Sequence, residues 1–307
     1  MKIVLLDAIT FGDTSLECFD KLGDVHSFAS TEASLTQVRI KDAVVVVTNK
    51  VVITKEHMQN TPSLKLICVA ATGTNNVDLE AAKELGIDVK NVTGYSTDSV
   101  VQHTFSMLFY LLGHARYYDE VVKSKEYSRS GVFTDVSRPF SEIKGKTWGI
   151  IGLGAIGKEV ARVAKAFGVN VIYYSTSGRN SSDEFEQVVL HRLLESSDII
   201  SIHAPLNERT QNLLGYEQLQ HIKEKAVVLN LGRGGIISEE AVAEIVDERE
   251  LYFGLDVFVK EPLPENSPLL AVKNSERLYL TPHIAWTSVE AREKLIASVC
   301  RTIQESF

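Results

Sequence analysis

Three polar residues with complementary chemistry each follow an apolar stretch of the chain. Arg233 comes after AVVLNLG, Glu261 lies in GLDVFVKEPLP, and His283 comes after RLYLTP. Arginine carries a permanent charge and a planar fork of donors, which suits a carboxylate. Histidine titrates near neutral pH and can transfer a proton, and a carboxylate bonded to one ring nitrogen selects the tautomer and favours the charged ring. Together the three residue types indicate a site that orients an anionic substrate and moves a proton.

Each of these residues also has a purely structural interpretation. His283 could simply end a strand after Thr-Pro, and Glu261 could be an exposed turn acid beside Pro262. A buried arginine such as Arg233, however, is costly unless an anion meets it. Because open α/β sheets bind ligands at the carboxyl ends of their strands, we expect the three side chains to converge on one crevice.

A glycine-rich loop precedes these residues in the chain. In TWGIIGLGAIGKEVARVAKAFG, Gly152, Gly154 and Gly157 follow an apolar run and open an amphipathic helical pattern, which is the context that a dinucleotide-binding G-x-G-x-x-G motif requires. The first glycine permits a tight turn, the second lets the backbone approach a pyrophosphate, and the third lets helix and strand pack closely. The sequence therefore predicts a nicotinamide dinucleotide cofactor. A second set of glycines is expected to allow a turn around Arg233 and to leave space for the nicotinamide: Gly232, Gly234 and Gly235.

The choice between the two nicotinamide cofactors depends on the end of the next apolar run, NVIYYS. An NAD-specific site usually has an acidic residue there, which holds the ribose hydroxyls. This chain has Ser175 and Thr176 instead, followed by Ser177 and Arg179. These hydroxyls and the arginine could accept the 2′-phosphate of NADP, or Arg179 could be a solvated loop residue while other contacts hold NAD. Both cofactors therefore remain open.

The elements that must position these residues are short apolar runs separated by helical patterns. Near-continuous apolar runs are typical of parallel strands covered on both faces, and their alternation with helices predicts an α/β fold. The predicted strands are KIVLLDA, AVVVVT, KLICVAA, DVKNV, TWGIIG, NVIYYS, DIISIH, AVVLNLG, FGLDVF and RLYLTP.

Two domains are expected, because single cores stop growing near about 250–300 residues and this chain has 307. The long helical pattern STDSVVQHTFSMLFYLLGHARYY, with Ser96 or Thr97 as its N-cap, separates the first four strands from the rest. A last helix has an apolar stripe, but its periodicity does not say which domain it joins. That stripe consists of Val289, Leu295, Ile296, Val299 and Ile303.

Composition narrows the class of protein further. The chain is 44% hydrophobic and 23% charged with a net charge of −8, and it has no cluster of lysine and arginine, so no nucleic-acid partner is expected. No apolar run approaches the length of a membrane span. Cys18, Cys68 and Cys300 are few, odd in number and far apart, which fits neither a disulfide framework nor a zinc-binding spacing. We therefore expect a cytoplasmic protein with reduced cysteines and no metal site.

Several motifs together resemble the D-isomer-specific 2-hydroxyacid dehydrogenases over essentially the whole chain. They are GLGAIG, HAPLNERT, NLGRGG, GLDVFVKEPLP and TPHIAW, with VAATGTNNVD in the first domain. Within that family, ATGTNNVD, YYSTSG and TPHIAW are most similar to glycerate dehydrogenase and hydroxypyruvate reductase members. Residues Gln102 and Ser175 depart from the pattern, which usually has an acid at each position.

The resemblance implies two doubly wound parallel-sheet domains. Residues 98–285 would form a Rossmann domain that binds NAD(P), and residues 1–97 a flavodoxin-like substrate domain to which residues 286–307 return. Family members are commonly homodimers through the cofactor domain, and their partner is otherwise a small-molecule substrate.

The resemblance also implies roles for individual residues. Arg233 would bind the substrate carboxylate and carbonyl, His283 would be the acid/base, and Glu261 its partner. The backbone of Thr72 and Gly73 would hold the carboxylate from the other side. The residues expected to contact the cofactor are Thr104, Gly152, Gly154, Ala155, Ile156, Gly157, Ser175, Thr176, His203, Ala204, Pro205, Thr210, Leu231, Gly232, Arg233, Asp256 and His283, with Asp256 bonding the nicotinamide carboxamide.

The implied reaction is hydride transfer between NAD(P)H and a small 2-keto acid or (R)-2-hydroxy acid such as hydroxypyruvate or glyoxylate. One alternative is a co-repressor-like protein that binds NAD(H) as a signal, which would need a peptide-binding surface or extra tails. Another is oxidation of formate or phosphite, which would need additional polar contacts that VAATGTN does not offer.

Overall fold

The computed structural model describes all residues from 1 to 307 and consists of two compact units. The smaller unit comprises Met1–Ser96 and Thr287–Phe307, and the larger one comprises Thr97–Trp286. The boundaries expected from the sequence lie one residue away from these. Each unit is built on its own parallel sheet, so the predicted α/β fold with two parallel-sheet domains is confirmed.

The smaller unit contains a five-stranded parallel sheet with strand order β2-β1-β3-β4-β5. Its strands are β1 (Lys2–Leu5), β2 (Asp24–Ser27), β3 (Val45–Thr48), β4 (Leu66–Val69) and β5 (Asp88–Asn91). Its helices are α1 (Glu17–Asp20), α2 (Thr36–Ile40), α3 (Lys55–Gln59), α4 (Leu79–Glu84) and, at the end of the chain, α12 (Val289–Ser306). Strands β3 and β4 are buried along their whole length, as expected for strands covered on both faces.

The larger unit contains a seven-stranded parallel sheet with strand order β12-β11-β10-β9-β6-β7-β8. Its strands are β6 (Thr147–Ile151), β7 (Asn170–Tyr174), β8 (Glu186–Gln187), β9 (Ile199–Ile202), β10 (Val227–Asn230), β11 (Tyr252–Leu255) and β12 (Leu278–Leu280). Its helices are α5 (Thr97–Leu112), α6 (Ala115–Lys123), α7 (Glu126–Ser130), α8 (Ala155–Ala166), α9 (Leu190–Ser196), α10 (Tyr216–Gln220) and α11 (Glu239–Glu248).

All ten predicted strands are present, and two strands were missed. The missed strands are β2, a polar and mostly exposed edge strand, and β8, which has two residues. Neither carries the apolar run on which strand prediction depends. The stripe of α12 is buried at four of its five predicted positions, but Val289 is 52% exposed and that assignment is wrong.

The last helix is held in the smaller unit by polar contacts as well as by its apolar stripe. Ser288 caps it by accepting the amide hydrogen bond of Ala291. Arg292 donates to the carbonyl oxygen of Phe11 at 2.6 Å and to the carboxylate of Asp13 at 2.7 Å. The final helix thus binds the turn that follows β1, although the two segments lie at opposite ends of the chain.

The same two ends are joined covalently, because Cys18 of α1 forms a disulfide with Cys300 of α12. The expectation of three reduced cysteines is therefore wrong for this pair. The two residues are 282 positions apart, and only the packing of α12 brings them together. Cys68 is free and buried in β4, and burial raises the pKa of its thiol to about 12. None of the helices combines the length and apolar character needed to cross a membrane.

Thiol titration tests this disulfide. With three cysteines, of which Cys68 is free, the denatured chain should react with one equivalent of Ellman's reagent before reduction and with three after it. Cys300→Ser should lower the free energy of unfolding by about 2–4 kcal/mol, since the reduced chain gains conformational freedom. The melting temperature of that variant should not respond to dithiothreitol, which is the internal control. Three reactive thiols before reduction would show that the bond is absent.

Candidate active site

The register of the larger sheet places four strand ends side by side. Asn230 at the end of β10 pairs with Ile202 of β9 and with Leu255 of β11, and Leu255 pairs with Leu280 of β12. The residues immediately after these positions therefore emerge at one edge of the sheet. They are His203, the loop from Leu231 to Gly235, the turn from Asp256 to Glu261, and the loop from Thr281 to Ala285.

Two of the expected residues form a direct pair at this edge. Nδ1 of His283 lies 2.7 Å from Oε2 of Glu261, and both side chains are partly exposed, by 19% and 28%. The other carboxylate oxygen, Oε1, accepts the amide hydrogen bond of Phe258 at 3.1 Å. The carboxylate is thus fixed at both oxygens, and it directs Nε2 of His283 away from itself. Glu261 is an exposed residue beside Pro262, as the structural interpretation expected, but its carboxylate is also bonded to His283.

The backbone around His283 is strained and firmly held. His283 has φ = +56°, in the left-handed region that non-glycine residues rarely adopt. The carboxylate of Asp256, which is 1% exposed, accepts the amide hydrogen bonds of Ile284 at 2.8 Å and Ala285 at 2.9 Å. It also accepts the hydroxyl hydrogen bond of Thr281 at 2.6 Å. One buried carboxylate therefore fixes both sides of the strained residue.

A histidine that the sequence did not single out extends this network. Nε2 of His103 lies 3.2 Å from the hydroxyl of Thr281 and 3.6 Å from Oδ1 of Asp256. Because the Thr281 hydroxyl donates to Asp256, it accepts from His103. Burial lowers the pKa of His103, and the nearby Asp256 carboxylate only partly opposes that effect. These contacts occupy Asp256 within the chain, so its contact with the nicotinamide carboxamide stays a prediction.

Arg233 is positioned by a side chain that precedes it, Asn230, which is 2% exposed. The amide group of Asn230 donates to the carbonyl oxygen of Arg233 at 2.9 Å and accepts the amide hydrogen bond of Gly232 at 3.1 Å. The guanidinium donates to the carbonyl oxygen of Gly232 at 2.8 Å. This contact uses one of the five N–H donors of an arginine. Asn230 belongs to the NLGRGG motif, but only the structure shows that its side chain holds the backbone of Arg233 in place.

The glycines around Arg233 do not share one role. Gly235 has φ = +82°, which supplies the expected turn. At Gly232 a Cβ atom would lie 2.8 Å from the carbonyl oxygen of Ala204. At Gly234 it would lie 1.9 Å from the carbonyl oxygen of Phe258, so this glycine makes room for the neighbouring backbone. Gly232 and Gly234 thus both make room for neighbouring backbone, and the expected space for the nicotinamide stays a prediction.

The glycine loop has the geometry that its spacing predicts. Gly152 has φ = +94°, and a Cβ atom there would lie 2.8 Å from the amide nitrogen of Ala204. At Gly157 a Cβ atom would lie 2.2 Å from the carbonyl oxygen of Gly152, so a side chain cannot fit. Gly154 is the N-cap of α8 and faces open space. Together with Ala155 and Ile156, which open that helix, the loop can accept a pyrophosphate at a helix N-terminus.

The HAPLNERT segment after β9 folds as a tight turn. Thr210 is fully buried, and its hydroxyl accepts from the amide of Asn207 at 2.8 Å and donates to the carbonyl oxygen of Pro205 at 2.7 Å. Nε2 of His203 lies 3.0 Å from the Ser201 hydroxyl, and burial lowers the pKa of His203 to about 3. The His203 ring is therefore neutral beside the glycine loop.

Two expected cofactor contacts differ sharply in what surrounds them. Thr104 is fully buried in α5, where its hydroxyl donates to the carbonyl oxygen of Val100, which gives no support to a place beside the cofactor. Ser175 follows β7, and its buried hydroxyl has no hydrogen-bond partner within the chain. An unpaired buried hydroxyl is costly, so Ser175 fits a ligand contact. Thr176 follows it, and Ser177 accepts the amide hydrogen bond of Arg179 at 3.3 Å.

Thr72 and Gly73 lie in the smaller unit, in the loop that follows β4. The hydroxyl of Thr72 donates to the carbonyl oxygen of Val92 at 3.3 Å, and the side chain of Asn91 donates to the carbonyl oxygen of Thr72 at 2.6 Å. These bonds hold the loop against the end of β5. The two residues remain the predicted carboxylate contacts of that unit.

A parallel sheet with this glycine loop, and with an arginine and a histidine–carboxylate pair at adjacent strand ends, defines the class of nicotinamide-dependent oxidoreductases. The family model described as the NAD-binding domain of D-isomer-specific 2-hydroxyacid dehydrogenases matches residues 105–285. The chain belongs to this family. It is therefore an NAD(P)-dependent dehydrogenase, and the alternative of a co-repressor-like binding protein is not favoured.

Individual relatives agree with this assignment. A hydroxypyruvate reductase of Blautia hydrogenotrophica is 33% identical over 99% of this chain and 96% of its own length. A glycerate dehydrogenase of Methylorubrum extorquens is 34% identical over 96% of this chain and 92% of its own length. Among solved structures, an acyclic imino acid reductase in complex with NADPH and D-Arg is 29% identical, with a TM-score of 0.85 over 100% of this chain and 97% of that chain.

A matched pair of glycine substitutions tests the loop. Gly154→Ala places a methyl group in open space, so the fold should be retained with a loss below about 1 kcal/mol, as for a poorer N-cap. Dinucleotide affinity should fall about tenfold or more, which corresponds to about 1.4 kcal/mol. Gly157→Ala should instead cost about 1–3 kcal/mol of stability through overpacking. Thermal unfolding measures the stability of each variant, and a fluorescence titration with NADH or NADPH measures its dinucleotide affinity. If the two variants changed both quantities equally, the separate roles of Gly154 and Gly157 would be contradicted.

Proposed function

We propose that this protein reduces a small 2-oxo acid: hydroxypyruvate to (R)-glycerate, or glyoxylate to the achiral glycolate. The observation that carries the proposal is the pair of His283 and Glu261 at 2.7 Å beside the strand end that presents Arg233. The names of the relatives in Blautia hydrogenotrophica and Methylorubrum extorquens support a three-carbon hydroxylated substrate. Glyoxylate has the same carboxylate and adjacent carbonyl and would bind in the same way.

The residues of the chain fit each requirement of this reaction. The reduced nicotinamide, when bound, supplies the hydride that reaches the carbonyl carbon. The guanidinium of Arg233 binds the substrate carboxylate and polarises the adjacent carbonyl oxygen, using donors that the Gly232 contact leaves free. His283, protonated, gives its proton to that oxygen as charge develops there, and it removes the proton in the reverse direction.

Glu261 and Asp256 then act on His283 in different ways. Glu261 accepts from Nδ1, which leaves Nε2 to carry the transferred proton and places a negative charge beside the imidazolium. Asp256 holds the amides of Ile284 and Ala285 and so maintains the strained conformation of His283. The ring is thereby fixed before substrate arrives, which avoids an entropic cost during the reaction.

A substrate panel tests the proposed function. The oxidation of NADH and of NADPH is followed with hydroxypyruvate, glyoxylate and pyruvate, for the parent and for Arg233→Lys. We expect hydroxypyruvate or glyoxylate to give the highest kcat/KM. The lysine keeps the charge but loses the planar fork, so Arg233→Lys should raise KM and lower kcat while the cofactor Kd barely changes. Preference for pyruvate would refute the proposed substrate, and a loss of cofactor binding alone would show that Arg233 serves the dinucleotide.

Substitutions in the histidine–carboxylate pair separate proton transfer from orientation. His283→Ala should lower kcat by about 10²–10⁴ and leave the dinucleotide Kd unchanged, because it removes the acid/base. Glu261→Gln keeps an acceptor for Nδ1 but removes the negative charge, so its kcat should lie between those of the parent and of Glu261→Ala. Steady-state kinetics on the three variants provide the measurement. Near-normal turnover by His283→Ala would exclude that residue as the proton donor.

We propose that the protein accepts NADPH as well as NADH. The unpaired hydroxyl of Ser175 at the end of β7, the neighbouring Thr176, and Arg179 in the same loop support a site that tolerates the 2′-phosphate. The related imino acid reductase, whose structure contains NADPH, offers a precedent in the same fold.

Ser175→Asp should reverse this tolerance. The new carboxylate should repel the 2′-phosphate and bond the ribose hydroxyls, so KM for NADPH should rise while KM for NADH falls or stays constant. Ser298→Asp, at a partly exposed position on α12, is the control for adding a negative charge away from this loop. A parent enzyme that already rejects NADPH would refute the proposal.

We also propose a homodimer formed through the larger unit and a cytoplasmic location. Four large apolar side chains between residues 131 and 141 are more than half exposed, which favours a protein interface. They are Val132, Phe133, Val136 and Phe140, exposed by 58%, 90%, 78% and 68%. Sedimentation equilibrium should give twice the chain mass, and Phe133→Ser should shift the protein toward monomer.

The proposed cytoplasmic location is supported by the net charge of −8 and by the use of a nicotinamide dinucleotide. The cysteines do not support it, because two of them form a disulfide.

A further inference from the structure

We propose that the larger unit carries a zinc site formed by His191, Glu195 and His221. Each of these residues offers one ligand atom, and the three atoms lie within 4.8 Å of one another. All three side chains are exposed, and none of them belongs to the active site described above. The expectation of no metal site came from the spacing of the cysteines. This cluster contains no cysteine, and its two histidines are 30 positions apart in the chain.

The first two ligands come from a single helix. His191 and Glu195 are four residues apart on α9, so they lie on the same face, one turn apart, and Nε2 of His191 is 3.2 Å from Oε1 of Glu195. The helix itself is fixed because Leu193 and Leu194 are buried in the hydrophobic core. A histidine and a carboxylate at this spacing form a natural chelating pair for a divalent metal.

The third ligand, His221, is the C-cap of α10, and its backbone is held on both sides. Arg249 donates to the carbonyl oxygen of Gln220 at 2.7 Å and to that of Ile222 at 2.8 Å. The positive charge of Arg249 is paired with Glu224 at 2.6 Å. The ring centroid of His221 lies 4.8 Å from that of His191. The second imidazole is therefore presented to the first by a braced turn.

The chemistry of this ligand set favours zinc. Two imidazoles and a carboxylate suit Zn²⁺, which binds nitrogen and oxygen at about 2.0–2.2 Å and accepts water as a fourth ligand. Ligand atoms around a tetrahedral zinc are then about 3.4 Å apart. At most 4.8 Å separates the ligand atoms here, so zinc binding requires the exposed side chains to close by about 1.4 Å or less. The neighbouring cation Arg192 is paired with Glu186 at 2.9 Å, so its charge is partly offset.

A bound zinc would act as a clamp between two crossover helices. Helix α9 leads into β9 and α10 leads into β10, and these strands are neighbours in the sheet. Joining the helices adds a cross-link next to the two strands that precede His203 and Arg233. We expect the metal to stabilise the folded unit by binding only the folded state. We do not expect it to take part in hydride transfer, since none of its ligands is an active-site residue.

Calorimetric titration of the chelator-treated, oxidised protein with ZnCl₂ tests the proposal. The parent should bind one Zn²⁺ per chain, and His221→Ala should weaken that affinity about tenfold or more, since it removes a direct ligand. Glu195→Gln is a second ligand variant. His26→Ala is the matched control, because His26 is also exposed and lies 3.0 Å from a carboxylate, that of Asp24, but has no second histidine in its cluster.

Melting temperature and turnover give two further readouts. At one fixed concentration, Zn²⁺ should raise the melting temperature of the parent and of His26→Ala by more than that of His221→Ala. All three proteins should have equal turnover without zinc. Zinc affinity and melting temperature are measured without any substrate, so failure of the proposed function does not affect these two readouts. Equal zinc affinity of the parent and His221→Ala, or no binding by the parent, would overturn the site.

Discussion

The active site depends on the parallel pairing of β9, β10, β11 and β12 in register. Ile202, Asn230 and Leu255 are direct neighbours, and Leu280 is paired with Leu255. Parallel hydrogen bonding makes all four strands end at the same edge. Their packed side chains oppose any slip, because a shift of one residue would exchange the side chains of the two faces. Every polar residue that we assign to catalysis lies within a few positions of one of these ends.

Precise placement at that edge is costly, and buried hydrogen bonds offset the cost. His283 adopts a left-handed backbone conformation, and the carboxylate of Asp256 is almost completely buried. Each would be destabilising alone, by roughly 1–3 kcal/mol for the strained backbone. They occur together because the carboxylate takes the amide hydrogen bonds of Ile284 and Ala285 and the hydroxyl hydrogen bond of Thr281. The result is a rigid loop that presents an imidazole to the exterior of the sheet.

The two polar clusters of the larger unit differ in how they are built. At the strand ends, His283 and Glu261 are partly shielded and rest on a buried network. Between α9 and α10, the proposed zinc ligands are exposed. Their positions are fixed by the two helices, whose apolar side chains are buried in the hydrophobic core. Shielding strengthens electrostatic interactions that a reaction can use, whereas an exposed cluster retains water and serves better to bind an ion from solution.

The sequence by itself determined the ten apolar strands, the glycine loop and the placement of Arg233, Glu261 and His283 after neighbouring strands, because these follow from local periodicity and from the rule that parallel strands end at one edge. Only the tertiary structure decided how those residues are held. Asn230 holds the backbone of Arg233 through a side-chain hydrogen bond that periodicity does not predict. The hydrogen bonds of Asp256 to the loop after β12, and the contact of Gly234 with the Phe258 carbonyl, join segments that are more distant in sequence. The disulfide of Cys18 with Cys300 and the exposure of Val289 depend on how α12 packs against the smaller sheet. Such contacts cannot be predicted from local sequence, because the periodicity of a segment shows which of its faces is buried but not which residues pack against that face.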